Sequence, residues 1–180
     1  MATSERSILI DADVVSHFVT AGEGRSLKKI FPDNPIYILD KVHAELQQWP
    51  SDILRSEVSY LLSKKILILM DFPDDDEKIV KEYAWIKSML FKGEGESACL
   101  AVARHNKQVL ASSNLKDIRN YCSMHKIDYL TTMDFLCEAL KKAVFTEDRC
   151  NAFIKKIKAA GSKLPVNSMK EHPCRTIDFI

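Results

Sequence analysis

Several acid and amide side chains stand where short apolar runs end or where helical patterns begin. Asp11 directly follows Ser7-Ile8-Leu9-Ile10, a short run of the buried-strand type, and Asp13 comes two residues later. Glu45 lies in a helical pattern behind a second apolar run, Pro35 to Leu39. Glu94 and Glu96 open a helix within Gly93-Glu94-Gly95-Glu96, and Asn114 and Asp117 follow the run Gln108 to Ala111. Each position alone has an ordinary explanation. An Asp after a strand caps a helix, a Glu in a first turn suits the helix dipole, and Asn is a common turn residue. Their order on successive elements carries the signal. Carboxylates drawn into one crevice repel one another, and burial adds to the repulsion. A divalent cation relieves it, and an all-oxygen donor set suits Mg²⁺ or Mn²⁺ rather than zinc. Such ions activate water and stabilise the leaving oxygen of a phosphodiester. No Ser-His-Asp order or nucleophile elbow stands out, so covalent catalysis is not required.

The elements that must position these groups alternate in type. Strand-like runs fall at 7–10, 35–39, 66–70, 108–111 and 127–130. Helical patterns fall at 14–20, 40–49, 51–62, 76–91, 93 onward, 115–125, 132–143 and 146–160. Asp40 and Ser51 are placed to cap the second and third helices, with Ile53, Leu54, Val58, Leu61 and Leu62 as the buried face of the latter. Alternation of this kind predicts an α/β fold, three-layer α/β/α, with a central parallel sheet of four or five strands. Ligands in such sheets sit beyond the carboxyl ends of the strands. The helical period is lost at Gly161, Pro165 and Pro173. The chain therefore divides into a domain over 1–145 and a C-terminal helix and tail over 146–180, packed on that domain or extending from it toward a partner.

Composition narrows the function classes. The 180 residues carry 26 Lys+Arg against 25 Asp+Glu, a formal charge of +1, which excludes polyanion binding through net charge alone. The longest aliphatic stretch, Ile66 to Met70, is far short of the ~20 residues that a membrane span requires. The five cysteines are odd in number and contain no C-x-x-C. They read as buried reduced thiols, which places the protein in the cytoplasm and away from membranes.

The acid-bearing segments, taken together, resemble the PIN-domain family. Ile8-Leu9-Ile10-Asp11-Ala12-Asp13-Val14-Val15 is similar to the family's opening, an apolar strand ending in Asp. Val42-His43-Ala44-Glu45-Leu46 resembles its helical Glu-Leu element. Gly93 to Ala101 is similar to the Gly-Glu-x-Glu-Ala segment of one branch, and Val109 to Arg119 resembles the strand followed by Thr/Ser-x-Asp/Asn. The resemblance spans about residues 7–135. It implies a parallel α/β/α domain that cleaves RNA with Mg²⁺ or Mn²⁺. It carries over Asp11, Glu45 and Glu96 as metal-site acids, with Asp13 and Glu94 in support. Asn114 departs from the commoner Asp; an amide oxygen can ligate Mg²⁺ but brings no charge. Asp117, one helical turn on, is the candidate to supply the missing carboxylate. Ser112 and Ser113 are placed to donate to a phosphate oxygen or a ligated water. Arg25, Lys28, Lys116 and Arg119, with a further cluster at Lys155, Lys156 and Lys158, are the candidate phosphate contacts. Many small PIN proteins are toxins held by an antitoxin protein, and such domains often form homodimers.

Two other readings fit parts of the chain. A catalytically weakened PIN scaffold that binds RNA or a protein partner would account for Asn114. The opening Asp11-Ala12-Asp13-Val14-Val15 also fits a haloacid-dehalogenase-type phosphatase. That chemistry needs a later acidic pair, absent here, and has no use for Glu45 or Glu96.

Overall fold

The short apolar runs assemble into one sheet because each is apolar on both sides. The computed structural model describes residues 6–90 and 93–180, apart from the side chain of Asp117. The strands are β1 (Ile8–Ile10), β2 (Ile36–Leu39), β3 (Ile68–Met70), β4 (Val109–Ala111) and β5 (Tyr129–Leu130). The helices of the first half are α1 (Ala12–Ala21), α2 (Leu27–Ile30), α3 (Asp40–Gln47), α4 (Asp52–Ser63) and α5 (Glu77–Met89). Those of the second half are α6 (Glu94–Asn106), α7 (Leu115–His125), α8 (Thr132–Lys141) and α9 (Glu147–Ala159). The strand order is β3-β2-β1-β4-β5 and every pairing is parallel. Ile8 pairs with Ile36 on one side and Val109 on the other, so the wholly buried β1 is the centre of the sheet. On one side α5, α6 and α7 pack together, and elsewhere α1 packs on α4 and α9. The fold is α/β with layers in the order α/β/α.

The topology selects a location for chemistry. From β1 the chain winds to β2 and β3 on one side, then crosses to β4 and β5 on the other. The winding reverses between β1 and β4, and in open parallel sheets a crevice opens at such a point beyond the carboxyl ends. Asp11 and Asn114 are the residues that lead out of these two strands into α1 and α7.

Local chemistry fixes the ends of α1. Asp11 is its N-cap, and its Oδ1 accepts from the Ala12 N–H at 2.8 Å. Gly22, at φ 77°, ends the helix in the left-handed region and donates its N–H to the carbonyls of Phe18 and Val19. Ser51 caps α4 as its sequence predicts, accepting from the Leu54 N–H at 3.3 Å. Asp40 does not cap α3. It is the first residue of that helix, and its Oδ1 accepts from the N–H groups of Lys41 and Phe72, tying the end of β2 to the segment after β3.

Two expectations are corrected. Ile53 is 80% exposed, while Val58 and Leu61 form the buried side of α4. Ile53 lies five residues before Val58, off the three- and four-residue spacing that keeps side chains on one helix face. The cysteines are not all reduced. Cys137 and Cys174 form a disulfide with their Cα atoms 5.7 Å apart, and Cys99, Cys122 and Cys150 are free and buried. A pair 37 positions apart is brought together by the return of the chain and leaves no spacing motif. Of the two placements open to the segment 161–180, the structure shows the one packed on the domain. Ile177, Phe179 and Ile180 pack on the core, and Arg6 donates to the carbonyl of Phe179 at 3.3 Å. The expected helix end at Phe91 lies outside the described residues. No described helix is long and apolar enough to cross a membrane.

Candidate metal centre

A cavity of about 170 Å³ lies at the carboxyl rim between β1 and β4, lined by Asp11, Ala12, Asp13, Glu45, Gly93, Glu96 and Asn114. Four separate stretches of chain meet there: the start of α1, the body of α3, the start of α6 and the start of α7. Asp11 is 5% exposed. Burial, then the charge of Asp13, push its pKa well above the ordinary aspartate value. The Ala12 N–H opposes this, while the charges of Glu96 and Glu45 add to it. A carboxylate surrounded by carboxylates in a dry setting holds a proton tightly unless a cation takes its place.

Glu45 reaches the rim because of a glycine. A Cβ on Gly95 would stand 2.8 Å from Glu45 Oε2 and 3.1 Å from Val42 Cγ2. The missing side chain leaves Glu45 Oε2 room to lie against the first turn of α6 where that turn packs on α3. This sets the Glu45 carboxylate against the positive end of α6, where a negative charge is favoured. Glycine within a helix is unfavourable by about 1 kcal/mol relative to alanine. Its place here is explained by the oxygen that it admits.

Asn114 has a defined role in the arrangement. Its Nδ2 donates to Glu96 Oε1 at 3.0 Å. An aspartate at this position would set another negative charge against Glu96; the amide supplies a donor and orients the carboxylate. Asp13 is held from two sides. Its Oδ2 accepts from the Ser113 N–H at 2.8 Å and its Oδ1 from the Val14 N–H at 2.6 Å. Its pKa is raised by burial, against the lowering effect of hydrogen bonds from the N–H groups of Ser113, Val14 and Asn114 and from the Ser112 hydroxyl. Asp13 thus staples the start of α1 to the loop after β4.

The donor set is hard oxygen throughout, the type that Mg²⁺ and Mn²⁺ take. Among the described residues no three His, Cys, Asp or Glu side chains already form a coordination shell. The carboxylates line the cavity walls, as mutual repulsion dictates. No family model matches the chain, and no curated protein is significantly similar to it. The geometry of this cavity therefore carries the functional argument.

The remaining candidates are placed as follows. Glu94 is not in the cavity wall; it is exposed and ion-paired with Lys87, which lowers its pKa. Ser113 faces away from the acids, donating from Oγ to Thr132 Oγ1 at 2.8 Å and accepting from the Thr132 N–H at 2.9 Å. Ser112 is fully buried and accepts from the Asn114 N–H at 3.4 Å, so both serines hold the loop together. The side chain of Asp117 lies outside the described residues. Lys116 and Arg119 are in the first turns of α7, at the rim. Arg25 and Lys28 are at the other end of the sheet, because α1 carries the chain away from the rim. Arg25 pairs with Glu57 and lies 4.1 Å from the Tyr60 ring centroid. In the expected lysine cluster, Lys156 donates to the carbonyl of Ala21 at 2.9 Å and Lys158 to that of Val166 at 3.4 Å. Two of those cations therefore pin helix ends and the tail.

Sequence reasoning passed over Thr132 and His17. Thr132 Oγ1 lies 2.8 Å from His17 Nδ1, and both side chains are buried. Burial lowers the His17 pKa to about 4, so near neutral pH the ring is uncharged. Ser113 donates its hydroxyl proton to Thr132 Oγ1, which is also hydrogen-bonded to His17 Nδ1. The chain Asp13–Ser113–Thr132–His17 runs from the cavity wall into the core. The available signal was a polar residue on the core-facing side of each helix.

Proposed function

We propose that the protein is a ribonuclease of the PIN type that hydrolyses RNA phosphodiester bonds with Mg²⁺ or Mn²⁺. The observation that carries this reading is the convergence of Asp11, Glu45, Glu96 and Asn114 on one cavity at the reversal point of a parallel sheet. The resemblance of the same segments to the PIN family, in the same order, supports it. Asp11, Glu45 and Glu96 would hold the ion, with the Asn114 amide orienting Glu96 and the Asp13 staple fixing the rim. The bound ion would supply a water of lowered pKa and neutralise charge on the phosphate. Burial of Asp11 strengthens these electrostatic interactions by excluding water. The rim position lets an extended strand lie across the cavity, while Lys116 offers charge to the phosphates nearby.

The phosphatase alternative gives Glu45 and Glu96 no task, although both line the cavity with Asp11. The reading as a weakened scaffold has one specific observation in its favour, the uncharged Asn114 bonded to Glu96. Incubation of mixed RNA with Mg²⁺, Mn²⁺ or EDTA separates the readings. Cleavage is expected with either metal and none in EDTA, and Glu96→Gln should remove it. Binding at low salt without cleavage selects the scaffold, and cleavage indifferent to both EDTA and Glu96→Gln overturns the metal reading.

A further inference from the structure

Next to the acid cavity lies a second one, of about 180 Å³, with walls built by the rim and by the tail of the chain. Leu115, on its wall, directly follows Asn114 on the wall of the first, so both cavities border the β4–α7 junction. Arg119, Tyr129, Asp134, His172 and Arg175 supply its polar lining. The tail is fixed there by three kinds of bond. Cys174 is disulfide-bonded to Cys137 of α8. Arg175 donates from Nε to Asp134 Oδ1 and from Nη2 to Asp134 Oδ2, both at 2.8 Å. It also donates to the carbonyl of Tyr129, with its guanidinium 5.0 Å from the Tyr129 ring centroid.

The charge balance of this cavity is opposite to that of its neighbour. The lining acid, Asp134, has both oxygens engaged by Arg175, and Oδ2 also accepts from the Thr131 N–H at 2.7 Å. Arg119 is exposed and makes no ion pair or hydrogen bond among the described residues. His172 adds a second donor. A guanidinium aimed into a cavity suits a phosphate, through charge-assisted and bidentate hydrogen bonds. The Tyr129–Arg175 stack offers the flat surface on which an unpaired RNA base lies. An acidic cavity that takes a cation, bordering the same junction as a basic one beside an aromatic ring, matches a polynucleotide strand better than a single small phosphoester.

We propose that this second cavity, walled by the docked tail, seats the RNA nucleotide next to the one whose phosphate is cleaved. The inference rests on the ribonuclease reading, but its test does not require cleavage. A labelled single-stranded oligoribonucleotide is titrated into the full-length, disulfide-intact protein in EDTA at several salt concentrations, with fluorescence anisotropy as the readout. The double variant Arg119→Gln/His172→Gln alters one exposed and one half-buried side chain, neither in the hydrophobic core, and should fold. Its Kd is expected to rise about tenfold, the scale of a lost charge-assisted hydrogen bond. The slope of log K against log salt should become shallower by about 1 for the lost phosphate contact. Lys28→Gln, at the opposite end of the sheet, should leave both unchanged. With Mn²⁺ present, the double variant should raise KM and leave kcat as it was. An unchanged Kd and salt slope in the double variant overturns the proposal. So does an equal loss in Lys28→Gln, or no measurable binding by the wild-type protein. Binding lost as expected, with no Mn²⁺-dependent cleavage by the wild type, would support the cavity and sink the ribonuclease reading instead.

Discussion

Asp11→Asn is expected to cut RNA cleavage by orders of magnitude and, in metal-free protein, to raise the melting temperature. The two effects have one origin. Asp11 is the most buried of the cavity's acids and stands among Asp13, Glu96 and Glu45. Burial first, and then the charges of these neighbours, outweigh the Ala12 N–H and raise its pKa. The sign follows from linkage. As pH rises through the ordinary aspartate range, the unfolded chain releases this proton while the folded chain retains it. Stability therefore falls with rising pH up to the raised folded value and is level beyond it. Asparagine removes that loss and keeps Oδ1 for the Ala12 N–H, so the helix cap survives. Each ~1 kcal/mol of repulsion relieved raises the melting temperature by about 2–4 °C in a chain of this size. Cleavage should fall by about 10²–10³-fold, the scale on which one preorganised charge acts. Mn²⁺ at a hundredfold excess over its Kd should stabilise the wild type by about 2.7 kcal/mol, and the variant far less. Thermal melts with and without Mn²⁺, beside the cleavage assay, measure all of this. A variant that melts lower than the wild type, or cleaves as well, contradicts the account.

Gly95→Ala should separate activity from stability in the other direction. The new methyl would stand 2.8 Å from Glu45 Oε2, so one of the two must move. The carboxylate is the far end of a flexible side chain and yields first. The neighbouring contact at 3.1 Å to Val42 Cγ2 is tight and adds strain. The stability loss is expected at about 1 kcal/mol, the low end for an overpacked site, and is offset in part by alanine's better helix propensity. Activity should fall much further, by about 10–100-fold, the range seen when a group that orients a metal ligand is lost. The double variant Gly95→Ala/Glu45→Ala tests the cause. Removing the carboxylate should recover part of the stability, leaving the Val42 contact, and should recover no activity. A Gly95→Ala protein with wild-type cleavage would show that Glu45 need not stand where it does.

How far the sequence led depends on the size of each element's signal. The central strands β1, β2 and β4 are apolar on both faces and flanked by long helical patterns, so their positions and parallel pairing were readable. The single turn of α2 is too short to show a period, and it went unseen. The edge strand β3 is shorter than its apolar run because Lys65, at φ 53°, ends the preceding helix and Ile66 and Leu67 complete the turn back. At the site, the acids were legible because their order on the elements survives in one dimension. What they touch was not. Nothing in the residue order says that Glu94 turns outward to Lys87 while Glu96, two positions on, lines the cavity. Gly95 was visible as an unexplained glycine in a first turn, and that is a signal worth following. The disulfide and the Arg175–Asp134 clasp join segments far apart in the chain, and only the folded tail brings them together.

The central claim is that three acids from three elements share one hard cation. Crystals of the protein soaked in Mn²⁺, with diffraction collected to reveal the manganese anomalous signal, test it most directly. The account predicts a peak in the cavity at about 2.1–2.3 Å from oxygens of Asp11, Glu45 and Glu96, the range of hard-cation coordination, and its disappearance in Asp11→Asn crystals. A peak elsewhere on the molecule, with this cavity empty at saturating Mn²⁺, would contradict it.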